Sequence, residues 1–192
     1  MPTPNTQALD FLHTRRSRPA KTLRPPVPTR AELMPILTAA ARTPDHGKLE
    51  PWRFIVIEGA AMARIADVAE RCGQALGFDE DQIRKGRGQY DQGHLAVVVV
   101  ESPKQSEKIP ALEQTYSTGA VCLSLLNAAL AAGWGANWLS GWPSHDLGFM
   151  TQAFDLAPLE RIAGIIHIGT EGATPPDRPR PDLESITTWM SD

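Results

Sequence analysis

Four consecutive residues near the amino terminus, residues 15–18, read Arg-Arg-Ser-Arg and directly follow a predicted helix. A guanidinium donates hydrogen bonds in a planar fork and stays charged, and a neighbouring hydroxyl adds another donor. Arg15, Arg16 and Ser17 could therefore bind a phosphate group. The alternative is a solvated basic helix end, where cations complement the helix macrodipole. The spacing taken alone favours this alternative.

A second group of polar side chains lies between a predicted helix, ended by Pro44, and a predicted strand. Its members are Asp45, His46, Lys48 and Glu50, and Arg42 ends the helix just before them. Polar groups held between a helix end and a core strand are well placed to contact a ligand. Arg42 also suits the carboxyl end of a helix as a partner of its dipole. A single histidine in a polar loop is usually a surface residue, and no neighbour gives His46 the spacing of a metal site.

The elements that must position these residues follow from hydrophobic periodicity and from glycine and proline punctuation. Helices are predicted at residues 5–12, 30–42, 59–76, 78–93, 111–132 and 145–154. Strands are predicted at residues 54–57, 94–101, 136–139 and 161–169. Thr29 and Glu32 form a predicted capping box, and Ser144 is the predicted cap of the helix that starts at residue 145. Proline-rich segments at residues 21–29 and 173–192 predict extended arms.

The composition predicts one soluble globular domain that spans residues 1–192. The chain is 42% hydrophobic and 21% charged, with a net charge of −3, which gives no electrostatic argument for nucleic acid or a membrane surface. Cys72 and Cys122 are far apart and lack metal-like spacing, so a reducing compartment is expected. No apolar leader or membrane-length window is visible, which makes the cytoplasm the expected location.

Several common active-site patterns are missing from the sequence. Gly133 and Gly135 lie between a helix and the strand after it, whereas a dinucleotide fingerprint needs a strand followed by a helix. No nucleophile elbow, acidic pair or clustered metal ligand set is recognisable, so the predicted metal set is empty and no catalytic side chain is assigned. This pattern is typical of a protein whose cofactor performs the chemistry while the chain binds and orients it.

The sequence resembles the nitroreductase-type flavoproteins, and is most similar to their minimal-sized members. Three motifs carry the resemblance: the Arg-Arg-Ser run after the first helix, the segment from residue 42 to residue 54 that ends Glu-Pro-Trp-Arg-Phe in a strand, and Trp-Leu-Ser at residues 138–140. The resemblance covers nearly the whole chain. Two positions depart from it: Glu50 replaces the usual Gln, and the residues after Ser17 differ from the common pattern.

The resemblance implies an α+β sandwich, with a central, mostly antiparallel sheet covered by helices, and FMN as the cofactor. It implies that Arg15, Arg16 and Ser17 hold the FMN phosphate, that Arg42 and His46 contact the flavin, and that its site is lined by Trp138, Leu139 and Ser140. The helix end near the nicotinamide of NAD(P)H comprises Ala128, Ala129, Leu130, Ala131, Ala132 and Gly133. The expected assembly is a homodimer with FMN at the interface and the 173–192 arm on the partner subunit.

The implied function is a ping-pong oxidoreductase that passes hydride from NAD(P)H through the flavin to a nitroaromatic, a quinone or a similar oxidised small molecule. Two alternatives stay open at this point. One is a flavoenzyme of the same fold with another reaction, such as dehydrogenation or reductive removal of a substituent. The other is a flavin-binding or regulatory module with slow turnover. No motif distinguishes NADH from NADPH, and the role of the charged segment 78–93 is open.

Overall fold

A five-stranded antiparallel sheet lies at the centre of the protein, whose computed structural model describes residues 2–191. The strands are β1 Leu23–Arg24, β2 Trp52–Glu58, β3 Leu95–Glu101, β4 Gly135–Leu139 and β5 Arg161–Glu171. The strands β2, β3, β5 and β4 lie side by side in that order, and β1 pairs with the carboxyl end of β5. The predicted antiparallel sheet is confirmed.

Helices cover both faces of this sheet. They are α1 Thr6–Thr14, α2 Arg30–Ala40, α3 Ala60–Ala75, α4 Glu80–Asp91, α5 Ala111–Ala131, α6 Leu147–Phe154 and the short α7 Leu183–Ile186. On one face α2 and α5 pack against Leu95, Val97, Val99, Ile166 and Ile168. On the other face α3 and α6 pack against Ala96, Val98, Val100, Ile162 and Ile165. The valine run of β3 is fully buried because both of its faces are covered, as expected for an all-apolar strand.

Local signals in the sequence explain most helix starts. The Thr29–Glu32 capping box is present, and Asn5 caps α1 by accepting a hydrogen bond from the Ala8 amide. The prediction that Ser144 caps a helix from residue 145 was wrong. Residues 142–145 form a 3₁₀ turn, and α6 begins after Asp146, whose carboxylate accepts a hydrogen bond from the Phe149 amide at 2.6 Å. Both residue types cap helices well, so local preference does not choose between them.

The two terminal arms meet on the same chain. Residues 173–181 are extended, and the Pro176 carbonyl accepts a hydrogen bond from Arg16 at 2.8 Å, while Arg180 reaches the His13 carbonyl at 3.4 Å. The helix α1 has no buried residue, and Trp189 is 89% exposed. Packing of the 173–192 arm on a partner subunit stays a prediction, and Asp192 lies outside the described residues.

Candidate functional site

A pocket of about 690 Å³ lies where the Arg-rich segment, α4 and the edge strand β4 meet. Its floor is the outer edge of the sheet, because β4 pairs with β5 on one side only. The lining residues are Arg16, Ser17, Pro19, Ala20, Lys21, Arg84, Lys85, Gly88, Gln89, Gln92, Asn137, Trp138, Leu139, Pro175 and Arg178. Two of the three motifs singled out in the sequence, at residues 15–17 and 138–140, therefore come together at one place.

The Arg-rich segment is attached to β4 by its backbone. The Arg18 amide donates a hydrogen bond to the Ala136 carbonyl at 2.8 Å. The Arg18 guanidinium turns the other way, with Nε 2.8 Å from Glu171 at the end of β5 and Nη1 donating to the Arg16 carbonyl. Arg18 thus anchors the segment, and the two residues before it, Arg16 and Ser17, line the pocket.

The first three residues of this segment, Arg15, Arg16 and Ser17, carry hydrogen-bond donors. The one acidic residue that pairs with them in the described chain is Asp177. The Arg15 Nη2 atom donates to Ser17 Oγ at 3.1 Å, and Arg16 Nε lies 3.8 Å from Asp177. The Nε atoms of Arg15 and Arg16 are buried, and neither makes a hydrogen bond to any of residues 2–191. A buried donor left unsatisfied costs about 1–3 kcal/mol, so these atoms fit a binding partner that accepts hydrogen bonds.

The electrostatics at Arg15 agree with this. Burial lowers the pKa of Arg15, and the nearby positive charges of Arg16, Arg180 and Arg18 lower it further. An anion placed among these guanidiniums would offset that repulsion. The arrangement is therefore suited to a phosphate, which supports the predicted role of residues 15–17.

The strand β4 presents Asn137, Trp138 and Leu139 to the pocket, and Ser140 follows as an exposed residue just beyond the strand. Trp138 is 38% exposed, and its indole fills the space above Gly164 of β5. Of the predicted lining residues, Trp138 and Leu139 line the pocket, whereas Ser140 does not.

A buried histidine lies behind the pocket floor. His167 pairs directly with Asn137 across the β4–β5 ladder, so the two side chains project from the same face of the sheet. His167 is 2% exposed and its Nε2 atom has no hydrogen-bond partner in the described chain. Burial lowers the pKa of His167 to about 4, so the imidazole is neutral at pH 7.

The third motif lies elsewhere. His46 Nδ1 is 2.6 Å from Glu113 Oε2 at the start of α5, and both side chains are exposed. The loop of residues 44–51 is held to α5 by Ser117, which donates to the Pro44 carbonyl at 2.6 Å, and by Thr118, which donates to the Pro51 carbonyl at 3.1 Å. Arg42 is exposed beyond the end of α2.

The sheet register shows how far the loop that contains His46 lies from the pocket beside β4. Ala136 is opposite Ile168 of β5, whereas Trp52, where the loop enters β2, is aligned through Glu101 with Arg161 of β5. Seven residues of strand span about 23 Å, and three strand spacings separate β4 from β2 by about 14 Å more. One chain therefore does not bring Arg42 and His46 to the pocket that holds Ser17 and Trp138.

The loop has a shallow pocket of its own. About 480 Å³ is enclosed by Ala41, Thr43, Asp45, Lys48, Glu50, Trp52, Arg53 and Phe54. Glu50 has a left-handed backbone conformation with φ of 48°, and its amide donates to Asp45 Oδ2 at 2.8 Å. The carboxylate of Glu50 offers no N–H donor to a ligand, in contrast to the Gln expected from the resemblance.

The predicted nicotinamide segment is also outside the main pocket. Ala128, Leu130 and the fully buried Ala129 pack against the core on the last turns of α5, followed by Ala131 and Ala132, and Gly133 ends the helix with φ of 87°. Ala132 and Gly133 line a separate surface depression together with Glu32, Trp134 and Thr170. A role of this segment in NAD(P)H binding stays a prediction.

Several lining residues were not predicted from the sequence. They include Lys21, Asn137, Arg178, the α4 residues Arg84, Lys85, Gly88 and Gln89, and Gln92, which caps the end of α4. The signal that was available is the spacing on α4, because positions i, i+1, i+4, i+5 and i+8 share one helix face. The local sequence around Arg178 does not predict its place at the pocket, because that place depends on where the carboxyl-terminal arm crosses the Arg-rich segment.

Residues 2–191 contain neither a metal-binding cluster nor a membrane-spanning helix. No group of three or more His, Cys, Asp or Glu side chains could hold a metal ion. Likewise, none of the helices described here has the length and apolar character needed to cross a bilayer.

Comparison with known proteins identifies the family. Residues 12–170 match the model of the nitroreductase family. The chain is 36% identical over 163 residues to the Escherichia coli protein named "Putative NAD(P)H nitroreductase YdjA", covering 85% of this chain and 87% of that protein. A Haemophilus influenzae protein with the same description is 31% identical over 165 residues, covering 85% of this chain and 88% of that protein.

Solved structures show the same fold. A nitroreductase-like family protein from Bacillus cereus superimposes with a TM-score of 0.81 at 22% identity, covering 100% of both chains. A Desulfovibrio desulfuricans protein crystallised in complex with FMN superimposes with a TM-score of 0.73 at 20% identity, covering 99% of this chain and 100% of that one. The family match, together with the sandwich fold and the phosphate-suited pocket, shows that this chain belongs to the nitroreductase family of oxidoreductases.

Proposed function

We propose that the protein is an FMN-dependent oxidoreductase that uses NAD(P)H to reduce a nitroaromatic, a quinone or a similar oxidised small molecule. The observation that carries this proposal is the buried Nε atom of Arg16, which makes no hydrogen bond within residues 2–191 and belongs, with Ser17, to the lining of a pocket floored by β4. The Nε atom of the preceding residue, Arg15, is likewise buried without a hydrogen bond in these residues. The FMN complex of the Desulfovibrio desulfuricans relative in fold supports the choice of cofactor.

The residues have distinct roles in this proposal. Bound FMN supplies the capacity to accept hydride from NAD(P)H and to deliver it to the second substrate, in a ping-pong sequence. Arg15, Arg16 and Ser17 hold the phosphate, with Arg178 of the arm as a further cation at the same pocket. Trp138 and Leu139 orient the ring system by packing. A contact from Ser140, which lies outside the pocket lining, stays a prediction.

We further propose a homodimer in which each site takes residues from both subunits. Arg42 and His46 lie too far from Ser17 to act at the same pocket within one chain, and a second copy could bring them there. The helix α5 exposes Leu112, Tyr116 and Leu123, spaced by four and seven residues along one face. Such an apolar face on a monomer is typical of an isologous interface.

The exposed apolar residues of the carboxyl-terminal arm fit the same assembly. Leu183, Ile186, Trp189 and Met190 are all more than half exposed in the single chain. Covering them on a partner subunit would remove apolar area from water. The two free, buried cysteines agree with a reducing compartment, and a cytoplasmic location forms part of the proposal.

The visible absorption spectrum of the purified protein, with mass spectrometry of the heat-released ligand, tests the cofactor assignment. We expect about one FMN per subunit in the dimer. A colourless protein that refuses added FMN would overturn the proposal. Steady-state oxidation of NADH and NADPH with a quinone acceptor then tests the activity, and bound FMN without turnover would instead support a flavin-binding module.

A further inference from the structure

The side of α4 that faces the pocket is polar along its whole length. Arg84, Lys85, Gln89 and Gln92 line the pocket, and Gly88 lies between them, where a Cβ would meet only the end of the Gln92 side chain at 4.0 Å. The other side of α4 packs tightly: Tyr90 is fully buried, and a Cβ at Gly86 would overlap the Trp142 indole. The packing of α4 therefore does not explain why its pocket side carries two cations.

The cationic end of α4 lies away from the residues proposed to hold the FMN phosphate. Trp142 Nε1 donates to the Gln82 carbonyl at 3.0 Å, which holds the first turns of α4 beyond the end of β4. The Ser17 segment is held at Ala136, near the beginning of β4. Since β4 rises about 3.3 Å per residue, Arg84 and Lys85 enter the pocket from the end opposite Ser17.

The pocket is strongly cationic in a chain of net charge −3. Five of its lining residues are cations and, of the described lining residues, none is acidic. Arg84 and Lys85 both pair with the single carboxylate of Asp81, which lies outside the lining. One carboxylate cannot neutralise two cations, so this end of the pocket keeps a net positive charge. A cleft of one sign concentrates ligands of the opposite sign.

We propose that Arg84 and Lys85 bind an anionic group, a carboxylate or a phosphate, on the substrate that occupies the pocket together with FMN. This inference rests on the proposed function and adds the charge of the substrate to it. Two sources carry this chemistry: a carboxylate on the oxidised acceptor, or the 2′-phosphate of NADPH. Either anion could be bound by the side chains of Arg84 and Lys85 in the space next to Gly88.

The first experiment measures binding to the FMN-loaded enzyme with two probes of equal shape, benzoate and benzamide, by titrating the perturbation of the flavin absorption spectrum. We expect benzoate to bind more tightly than benzamide. In the double variant Arg84→Gln/Lys85→Gln we expect benzoate binding to weaken about five- to tenfold, with benzamide unchanged. Asp81→Asn should have the opposite effect and tighten benzoate binding, because it frees both cations.

The second experiment compares kcat/KM for NADPH with that for NADH in the same variants. If the 2′-phosphate is the anion, the ratio falls in Arg84→Gln/Lys85→Gln and rises in Asp81→Asn. The matched control is Arg71→Gln, which removes an exposed cation from α3 outside the pocket. It should leave both readouts unchanged.

The outcomes separate this inference from the proposed function. Stoichiometric FMN in the double variant, with neither benzoate affinity nor the NADPH preference altered, overturns the inference and leaves the FMN assignment intact. A change in benzoate binding alone identifies a carboxylated acceptor, and a change in the NADPH ratio alone identifies the dinucleotide. Failure of the wild-type protein to bind FMN overturns the proposed function and this inference together.

Discussion

The indole of Trp138 lies over Gly164, in the space that a side chain at that position would occupy. The two residues are diagonal neighbours on adjacent strands, because Trp138 pairs with Ile166, two positions further along β5. The glycine thus leaves room for the indole of Trp138, a residue that also lines the pocket. The geometry of the proposed flavin site depends on this contact.

Gly164→Ala tests that dependence. A Cβ at this position would overlap the Trp138 indole, so we expect the ring to be displaced and FMN affinity to fall by about tenfold, with an overpacking cost of about 1–3 kcal/mol in unfolding free energy. FMN titration and urea unfolding provide the two measurements. The double variant Gly164→Ala/Trp138→Ala should show little added instability over Trp138→Ala. Additive losses in this cycle would argue against the contact.

Arg15→Ala combined with Ser17→Ala tests the phosphate assignment. Charge-assisted hydrogen bonds are each worth about 1.5–3 kcal/mol, so we expect FMN to bind about a hundredfold more weakly. Riboflavin, which has no phosphate, provides the matched ligand: its affinity should not change in the variant. Arg30→Gln, which removes an exposed cation on α2, is the control for net charge. An unchanged FMN affinity in equilibrium titration would refute the assignment.

The sequence alone predicts most of the core strands and helices, but only some of the residues that line the pocket. The apolar runs of β2, β3 and β5 and the periodicity of α2, α3 and α5 specify those elements because hydrophobic patterning has a different period in helices and strands. The two-residue strand β1 escaped prediction, since it has no pattern of its own and exists only because Leu23 and Arg24 pair with Thr170 and Glu171.

The site illustrates the same distinction. The backbone hydrogen bond from Arg18 to Ala136 joins positions more than a hundred residues apart, and no local sequence pattern predicts it. For α4, the sequence predicts only a charged helix, and mixed charges on a helix usually indicate a solvated surface. The separation of His46 from Ser17 follows from strand order, which single-sequence patterns do not specify.

If the sites are shared between subunits, complementary variants should rescue each other. We expect homodimers of Arg15→Ala/Ser17→Ala and homodimers of Arg42→Ala/His46→Ala each to bind FMN poorly. A heterodimer of the two, isolated with two affinity tags, should contain one intact site and hold about one FMN. The measurement is FMN per dimer from the visible spectrum. No rescue in the heterodimer would show that the two sets do not share a site.

The apolar face of α5 can be tested by a charge. Leu123→Glu places a carboxylate on that face, and burying an unpaired charge in an interface costs several kcal/mol, so we expect the variant to be unable to form the proposed dimer. Sedimentation velocity at micromolar concentration measures the effect, and FMN should be lost together with the dimer. Leu76→Glu is the matched control, because Leu76 is equally exposed at the end of α3, on the other side of the sheet.

His167 makes the stability of the fold depend on pH with a predictable sign. Its pKa is about 4 in the folded chain because of burial, against about 6.5 when exposed, so between these values the unfolded chain takes up a proton that the folded chain does not. The contribution of neutral His167 is complete above pH 6.5 and is lost as the pH falls towards 4. Among its neighbours, Gly93, Met62 and Asn137 carry no charge that would change this.

Urea unfolding measures this effect. Between pH 7.5 and pH 4.5, we expect the free energy of unfolding of the wild type to fall by about 2.5 kcal/mol more than that of His167→Leu. The comparison cancels the other carboxylates, including Glu160, whose pKa the Arg53 guanidinium lowers to about 2, because both proteins contain them. Protein concentration and FMN content are matched, since both affect apparent stability. Parallel pH profiles for the two proteins would show that His167 is hydrated and titrates normally. In that case water would reach Nε2 from the pocket side of β4.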